Sequence, residues 1–414
     1  MAASSAVVPQ EDPSERGRSL QKTLEIASLT GLRGFAAMIV VVVHVAGRTD
    51  FPWVGIHGYG PVSLFVLSGF LLYRPWARWL LGTAARPGLR SFFRRRVARI
   101  FPAYLLVLLT VAVVYPPSQP VGADGWLRAV TLTGIYASDG LRPGLEQAWS
   151  LGTELSWYVA LPVVGLASFA LLRRLSRRGA FWGAFLLLSL SVPVTAAWRW
   201  WVHIEDLGRH FTYSFWLPGF LAAFAAGALV ALCIEGEHAG VVRLGRLHAL
   251  AHGQRLLILA AVAVTLVGAS SLGGPHAYAP ATFSERNVRF VSVLVLATIL
   301  LVAAAMGGPR SPVNRFLGTR GMVAVGRWSY GLYLWHLPVI VILAHDFVLP
   351  TGHVGLPLQL ALVLVISLPL SAATYAWVER PAMAWSRGAG WRGSRRPEEG
   401  SVASPSRRPA TTTD

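Results

Sequence analysis

The sequence predicts an all-α polytopic membrane protein of about ten transmembrane helices, and three observations predict it. Of 414 residues, 54% are hydrophobic and only 14% charged, where a soluble domain carries about a quarter. Apolar stretches near twenty residues recur along the chain, and about twenty suffice to cross a hydrocarbon core. The basic residues, finally, gather in alternate connections between those stretches, as the positive-inside rule requires of a multi-span chain.

The elements follow in order. Residues 1–28 form a polar segment with Glu11, Asp12, Glu15 and Glu25, without the basic n-region and cleavage site of a secretory signal. The first apolar run, near 29–47, is therefore expected to stay as a helix. A second span near 60–80 leads into eight Arg between Arg74 and Arg99, and a third follows near 101–116. The connection over 117–152 holds an apolar stretch, Trp126 to Tyr136. It is too short to span and reads as a surface or re-entrant segment. Spans near 153–172 and 181–201 flank Arg173, Arg174, Arg177 and Arg178. The sixth, near 213–234, precedes Arg243, Arg246 and Arg255, and the seventh and eighth lie near 255–272 and 288–307. Arg310, Arg315, Arg320 and Arg327 introduce the ninth, near 326–346, and the tenth runs near 355–378.

With ten spans, 29 of the 37 basic residues share one side with both termini. Six (Arg48, Arg128, Arg142, Arg209, Arg286 and Arg289) face the other, while Arg33 and Arg199 fall within spans. Both termini are thus expected in the cytoplasm. The reading gives three parts: the polar segment 1–28, a membrane domain over 29–382 and a disordered cytoplasmic tail over 383–414.

A formal net charge of +18 invites a nucleic-acid partner, but the charges lie in short connections rather than along one soluble face. One cysteine, Cys233, allows no intramolecular disulfide. The sequence has no Gly-Lys-Ser/Thr phosphate loop, no Cys/His set with zinc spacing and no Gly-x-Ser-x-Gly elbow. No metal site and no nucleic-acid partner are expected.

Chemistry concentrates in four places. Arg33 and His44 lie eleven residues apart in the first span, which on a helix is about three turns plus 20°, so they share a face. An intramembrane Arg is costly and faces a protein interior or a watery cavity. His44 reads either as a helix-end histidine satisfied by a carbonyl or as a general base, and the aligned Arg33 weighs against the first. Arg96 and Arg99 project from one side of the third helix. A topology-fixing stop-transfer cluster is the leading reading there, and a phosphate cradle the functional one. Glu154 opens the fourth span at the depth of His44. It reads equally as a charge at a helix N-terminus or as a carboxylate that orients the imidazole. Tyr330, Tyr333, Trp335 and His336 crowd the ninth span, and an interfacial belt does not explain His336 midway across. Glu379, at the end of the tenth span, reads as a structural ion pair or helix stop.

These motifs resemble those of the acyltransferase-3 family of integral membrane acyltransferases, which includes bacterial O-antigen, peptidoglycan and macrolide O-acyltransferases. Arg33 and His44 match its Arg-x10-His pair, and Gly60-Pro-Val-Ser-Leu-Phe-Val-Leu-Ser-Gly-Phe-Leu is similar to its second-span signature. Arg96-Val-Ala-Arg99, Trp149-Ser-Leu-Gly-Thr-Glu154 and Ser329-Tyr-Gly-Leu-Tyr-Leu-Trp-His336 follow in family order. Ser63 stands where the signature often has an acidic residue. No fused extracytoplasmic esterase-like domain follows the tenth span in this sequence, which leaves acceptor handling to the membrane domain or a partner.

The resemblance implies transfer of an acyl group, often acetyl, from acyl-CoA to a hydroxyl of a glycan or glycosylated small molecule, with no bound cofactor. It implies a multi-pass protein of the bacterial inner membrane. His44 is the expected base, with Glu154 orienting or charging it. Arg96 and Arg99 are expected at the nucleotide end of CoA and Arg33 at phosphate or thioester. Trp149, Tyr330, Trp335 and His336 are expected at the substrates, with Tyr330 or Trp335 as the oxyanion donor. The rival readings are a proton-coupled transporter or flippase, which intramembrane Arg, His and Glu also suit, and an acyl-chain sensor without turnover.

Overall fold

The computed structural model describes residues 13–51, 59–137, 141–205, 211–274, 281–349 and 352–388, with side-chain surroundings from Ile26 onward. Among them the regular structure is entirely helical. Helix α1 is Pro13–Ala46, α2 Tyr59–Leu80, α3 Leu89–Val114, α4 Gly122–Thr131 and α5 Trp149–Leu172. Helices α6 (Arg177–Ser189) and α7 (Ser191–Ile204) form one long stretch, followed by α8 (Leu221–His238). Helices α9 (Gly245–Gly253) and α10 (Arg255–Ala269) meet at a 76° bend. Then come α11 (Phe283–Met306), α12 (Pro312–Leu317), α13 (Arg320–Asp346) and α14 (Gly355–Thr374). A π-helical turn, Tyr375–Glu379, leads into α15 (Arg380–Gly388).

All ten apolar segments fall on helices. Among the described residues, seven helical stretches are long and apolar enough to cross a membrane, eight when the bent pair is counted as one span. The chain is an all-α polytopic membrane protein. Helices α2 and α13, of 22 and 27 residues, are also long enough, and Arg, Tyr, Trp and His lower their mean hydropathy.

Several boundaries differ from the sequence expectation. The polar segment is already helical from Pro13, continuous with the first span. Helix α3 begins at Leu89, so Arg94 to Arg99 lie on the helix itself rather than at its mouth. The sixth segment opens with 3-10 turns at Phe211–Phe215 and Leu217–Phe220. The stretch around Trp126 is the ten-residue α4 and a 3-10 turn at Gly134–Tyr136. The chain stays helical through Gly388, past the predicted start of the tail at 383. Residues 1–12 and the tail from 389 lie outside the described residues.

Helices α1 and α13 run side by side and parallel, with Thr30 against Gly326 near one end and His44 against His336 further along. Small residues make this possible, since close packing of backbones drives helix association in a bilayer. A Cβ on Gly326 would overlap the Thr30 carbonyl, and one on Gly34 would stand 2.7 Å from the Gly326 nitrogen. Helices α2 and α8 also run parallel, from the stacked Phe65 and Phe224 (4.7 Å) to the Arg74–Glu235 ion pair (2.7 Å). Alternating spans predict both relations, for the first and ninth and for the second and sixth. The core between α2, α5 and α8 is aromatic, with Trp157 stacked on Phe224 at 4.8 Å.

Candidate functional site

A cavity of about 660 Å³ opens where α1, α2, α3, α5 and α13 converge, within the range of small-molecule sites, roughly 300–1,000 Å³. One end is lined by Ile26, Arg96, Arg327 and Met383, the other by Pro61, Ser150 and Tyr333. Arg33 lies in its wall, and among the described residues it makes no hydrogen bond or close ion pair. The charges of Glu154 and Glu379 attract it and those of Arg96 and Arg99 repel it.

Glu154 faces the same cavity. Its Oε1 accepts from Ser68 Oγ at 3.0 Å and from Tyr158 OH at 2.8 Å, and no hydrogen bond engages Oε2 among the described residues. Tyr158 is one helical turn beyond Glu154, so the i,i+4 spacing on α5 brings the two together. The expectation that Glu154 orients His44 is not met: no hydrogen bond joins them among the described residues, and Glu154 is held by Ser68 and Tyr158 instead.

Arg99 and Glu379 form an ion pair at 2.8 Å, with Arg99 over the Tyr330 ring at 5.5 Å. The Glu379 side chain is fully buried, and its Oε1 has no partner among the described residues. The structural reading of Glu379 from sequence therefore holds, with Arg99 as the partner. The π-helical turn that ends at Glu379 shifts the helical phase, as such turns do at many functional sites. Arg96 stands over the Tyr158 ring at 5.7 Å.

His44 lies about 16 Å of helix rise beyond Arg33 and does not line the cavity. Its Nδ1 is 2.9 Å from the Val40 carbonyl oxygen and 3.3 Å from His336 Nε2. His336 is fully buried, and its Nδ1 is 3.1 Å from the Leu332 carbonyl oxygen. Tyr333 links the two regions. It lines the cavity, and its ring centroid is 5.9 Å from that of His336. Its hydroxyl donates to the Gln147 carbonyl at 2.9 Å and meets Ser150 Oγ at 2.6 Å.

Of the residues expected at the substrates, Arg33, Arg96, Arg99 and Tyr330 line the cavity with Glu154, while Trp149, Trp335 and His336 do not. The reason is helical phase: Trp335 and His336 are rotated by roughly 140° and 240° from Tyr330 on α13. Trp149 instead packs on Phe215 at 4.7 Å and Phe220 at 5.3 Å. Neither expected oxyanion donor has its hydrogen free. Tyr330 OH donates to the Ile100 carbonyl at 2.8 Å, and Trp335 Nε1 to Thr374 Oγ1 at 2.9 Å.

Sequence reasoning missed Ser68, Tyr158 and Gln147. Gln147 had a readable signal. Pro338 has no N–H, so the carbonyl of Leu334, four residues earlier, loses its helical partner. Gln147 Nε2 donates to that carbonyl at 2.9 Å and ties the start of α5 to α13.

A family model described as an acyltransferase domain matches residues 26–376. Acyltransferase MdmB of Streptomyces mycarofaciens is 26% identical over 353 residues, covering 77% of this chain and 80% of that protein. The putative peptidoglycan O-acetyltransferase YrhL of Bacillus subtilis is 25% identical over 380 residues, 86% of this chain and 54% of that one. O-acetyltransferase OatA of Staphylococcus aureus is 23% identical over 380 residues, 86% of this chain and 57% of its own length. The chain thus spans little more than half of the latter two. No solved structure matches. With the match running from the start of the first span to the last helices around the cavity, the chain belongs to this family of acyltransferases.

Proposed function

We propose that the protein transfers an acyl group, acetyl in the first instance, from acyl-CoA to a hydroxyl of a glycan or glycosylated small molecule. The observation that carries the reading is Arg33, a cation without a close partner in the wall of this cavity. Such a charge awaits an anionic or strongly polar ligand. The nucleotide end of CoA is polyanionic and suits the end of the cavity bearing Arg96 and Arg327. The pantetheine arm then runs past Arg33 and Glu154, whose free Oε2 can accept an amide hydrogen. The thioester arrives near Tyr333 and Ser150, next to the two imidazoles.

His44 acts as the base. As the acceptor oxygen bonds to the acyl carbon, the imidazole takes the hydroxyl proton. The carbon–sulfur bond breaks, and the CoA thiolate recovers that proton from the imidazolium. The basic-residue asymmetry supports cytoplasmic termini and a cytoplasmic donor end. The names of the relatives support an O-linked acetyl product, with peptidoglycan as one acceptor, and the apolar helices support a place in a membrane, here taken as the bacterial inner membrane.

The test is purified protein in vesicles with labelled acetyl-CoA and a panel of glycan and glycoside acceptors. Labelled ester that depends on His44 supports the reading. Acceptor accumulating inside the vesicles without ester, or saturable acetyl-CoA binding without product, overturns it.

A further inference from the structure

We propose that His336 is a positioning residue that holds His44 with its proton on Nδ1, so that Nε2 is the atom that receives the acceptor proton. The inference rests on the reading of His44 as the base and adds a group that acts with the Val40 carbonyl to set its tautomer, the task the sequence had assigned to Glu154.

Two carbonyls settle the protons. A carbonyl oxygen only accepts. Leu332 O, 3.1 Å from His336 Nδ1, therefore places the His336 hydrogen on Nδ1 and leaves its Nε2 a lone pair. Val40 O, 2.9 Å from His44 Nδ1, likewise places the His44 hydrogen on Nδ1. That hydrogen points between Val40 O and His336 Nε2, the latter 3.3 Å away, in a three-centre bond of the kind common near helix carbonyls. His44 Nε2 then carries the free lone pair, and among the described residues nothing is hydrogen-bonded to it.

The opposite assignment is worse at every contact. With the His44 hydrogen on Nε2, the Nδ1 lone pair faces the Val40 carbonyl. A single bond from a His336 Nε2–H could then reach His44 only by setting the His336 Nδ1 lone pair against Leu332 O. Two carbonyl bonds would be exchanged for one imidazole bond. No carboxylate is hydrogen-bonded to either ring among the described residues, and the charge that acts on His44 is Arg48, one turn further on. The pair therefore orients without a counter-ion. When His44 takes the acceptor proton, its Nδ1–H bond to His336 becomes charge-assisted and strengthens.

The test uses full-length protein labelled with ¹⁵N-histidine, the His44 resonances being identified by their loss in His44→Gln. Wild type should show His44 protonated at Nδ1 and bare at Nε2. In His336→Gln the side-chain oxygen can take the place of Nε2 and keep that tautomer. In His336→Asn the shorter side chain keeps the bond to Leu332 O but cannot reach His44, so His44 should populate both tautomers. Turnover should follow: kcat close to wild type in His336→Gln, and down roughly 10- to 100-fold in His336→Asn with KM for acetyl-CoA unchanged. The loss stays below the roughly 10⁴-fold known for a fully misassigned catalytic imidazole, because Val40 O remains. A His44 hydrogen on Nε2 in the wild type would overturn the proposal, as would equal turnover in the two variants. The tautomer is read without turnover. Wild type that forms no ester therefore counts against the functional reading alone.

Discussion

Arg99 on α3 and Glu379 at the end of the π-helical turn, 280 residues apart in sequence, meet at 2.8 Å beside the cavity. The pair closes the ring of helices around Arg33 and balances one of the cations there. Arg99 is thereby partly committed, which leaves Arg33, Arg96 and Arg327 as the charges available to a ligand.

Breaking this pair from one side should destabilise the protein more than removing both partners. Arg99→Met leaves a buried carboxylate without its cation, at a cost of about 3–5 kcal/mol, whereas a well-packed apolar pair is often neutral. Thermal unfolding of detergent-solubilised protein should show Arg99→Met well below wild type, with Arg99→Met/Glu379→Met recovering much of the loss. Equal midpoints for the single variant and wild type would remove the structural role.

Arg96→Ala should raise KM for acetyl-CoA about tenfold, the value of one charge-assisted contact of about 1.4 kcal/mol, and leave the acceptor KM in place. A change confined to the acceptor would put Arg96 on the wrong substrate.

Gln147→Leu should leave the Leu334 carbonyl buried and unpaired, a loss of about 1–3 kcal/mol. The unfolding midpoint should fall, and a Pro338→Ala background, which restores the helical N–H, should relieve part of the loss. An unchanged midpoint in Gln147→Leu would mean that the carbonyl finds another donor.

Gly326→Val should prevent α1 and α13 from closing, because the new side chain meets the Thr30 carbonyl backbone. Overpacking costs about 1–3 kcal/mol or more, read as loss of monodisperse protein in size-exclusion chromatography. Wild-type yield and elution would refute the close approach.

The fold was largely legible because hydropathy and basic asymmetry act over whole segments, and all ten apolar segments became helices. The site was legible where a polar residue had no other reason to sit in a span, as with Arg33. It failed where side-chain direction decides. Trp149 belongs to a signature yet points into aromatic packing, and Trp335 turns away from Tyr330 by helical phase alone. The partner of His44 also escaped, because the start of a helix read from sequence does not fix which level of a neighbouring helix it meets. Glu154 is held by Ser68 in the cavity wall that contains Arg33, and the parallel packing of α1 on α13 delivers His336 to His44 instead.

The most direct measurement of the central claim separates donor binding from chemistry at His44. Purified wild type and His44→Gln are titrated with acetyl-CoA by calorimetry, and thiol release is then followed with an acylatable acceptor present. The account predicts equal acetyl-CoA affinity in both proteins, since His44 lies outside the cavity, and loss of thiol release in His44→Gln by at least about 10²-fold. Wild-type rates of thiol release from His44→Gln would contradict it.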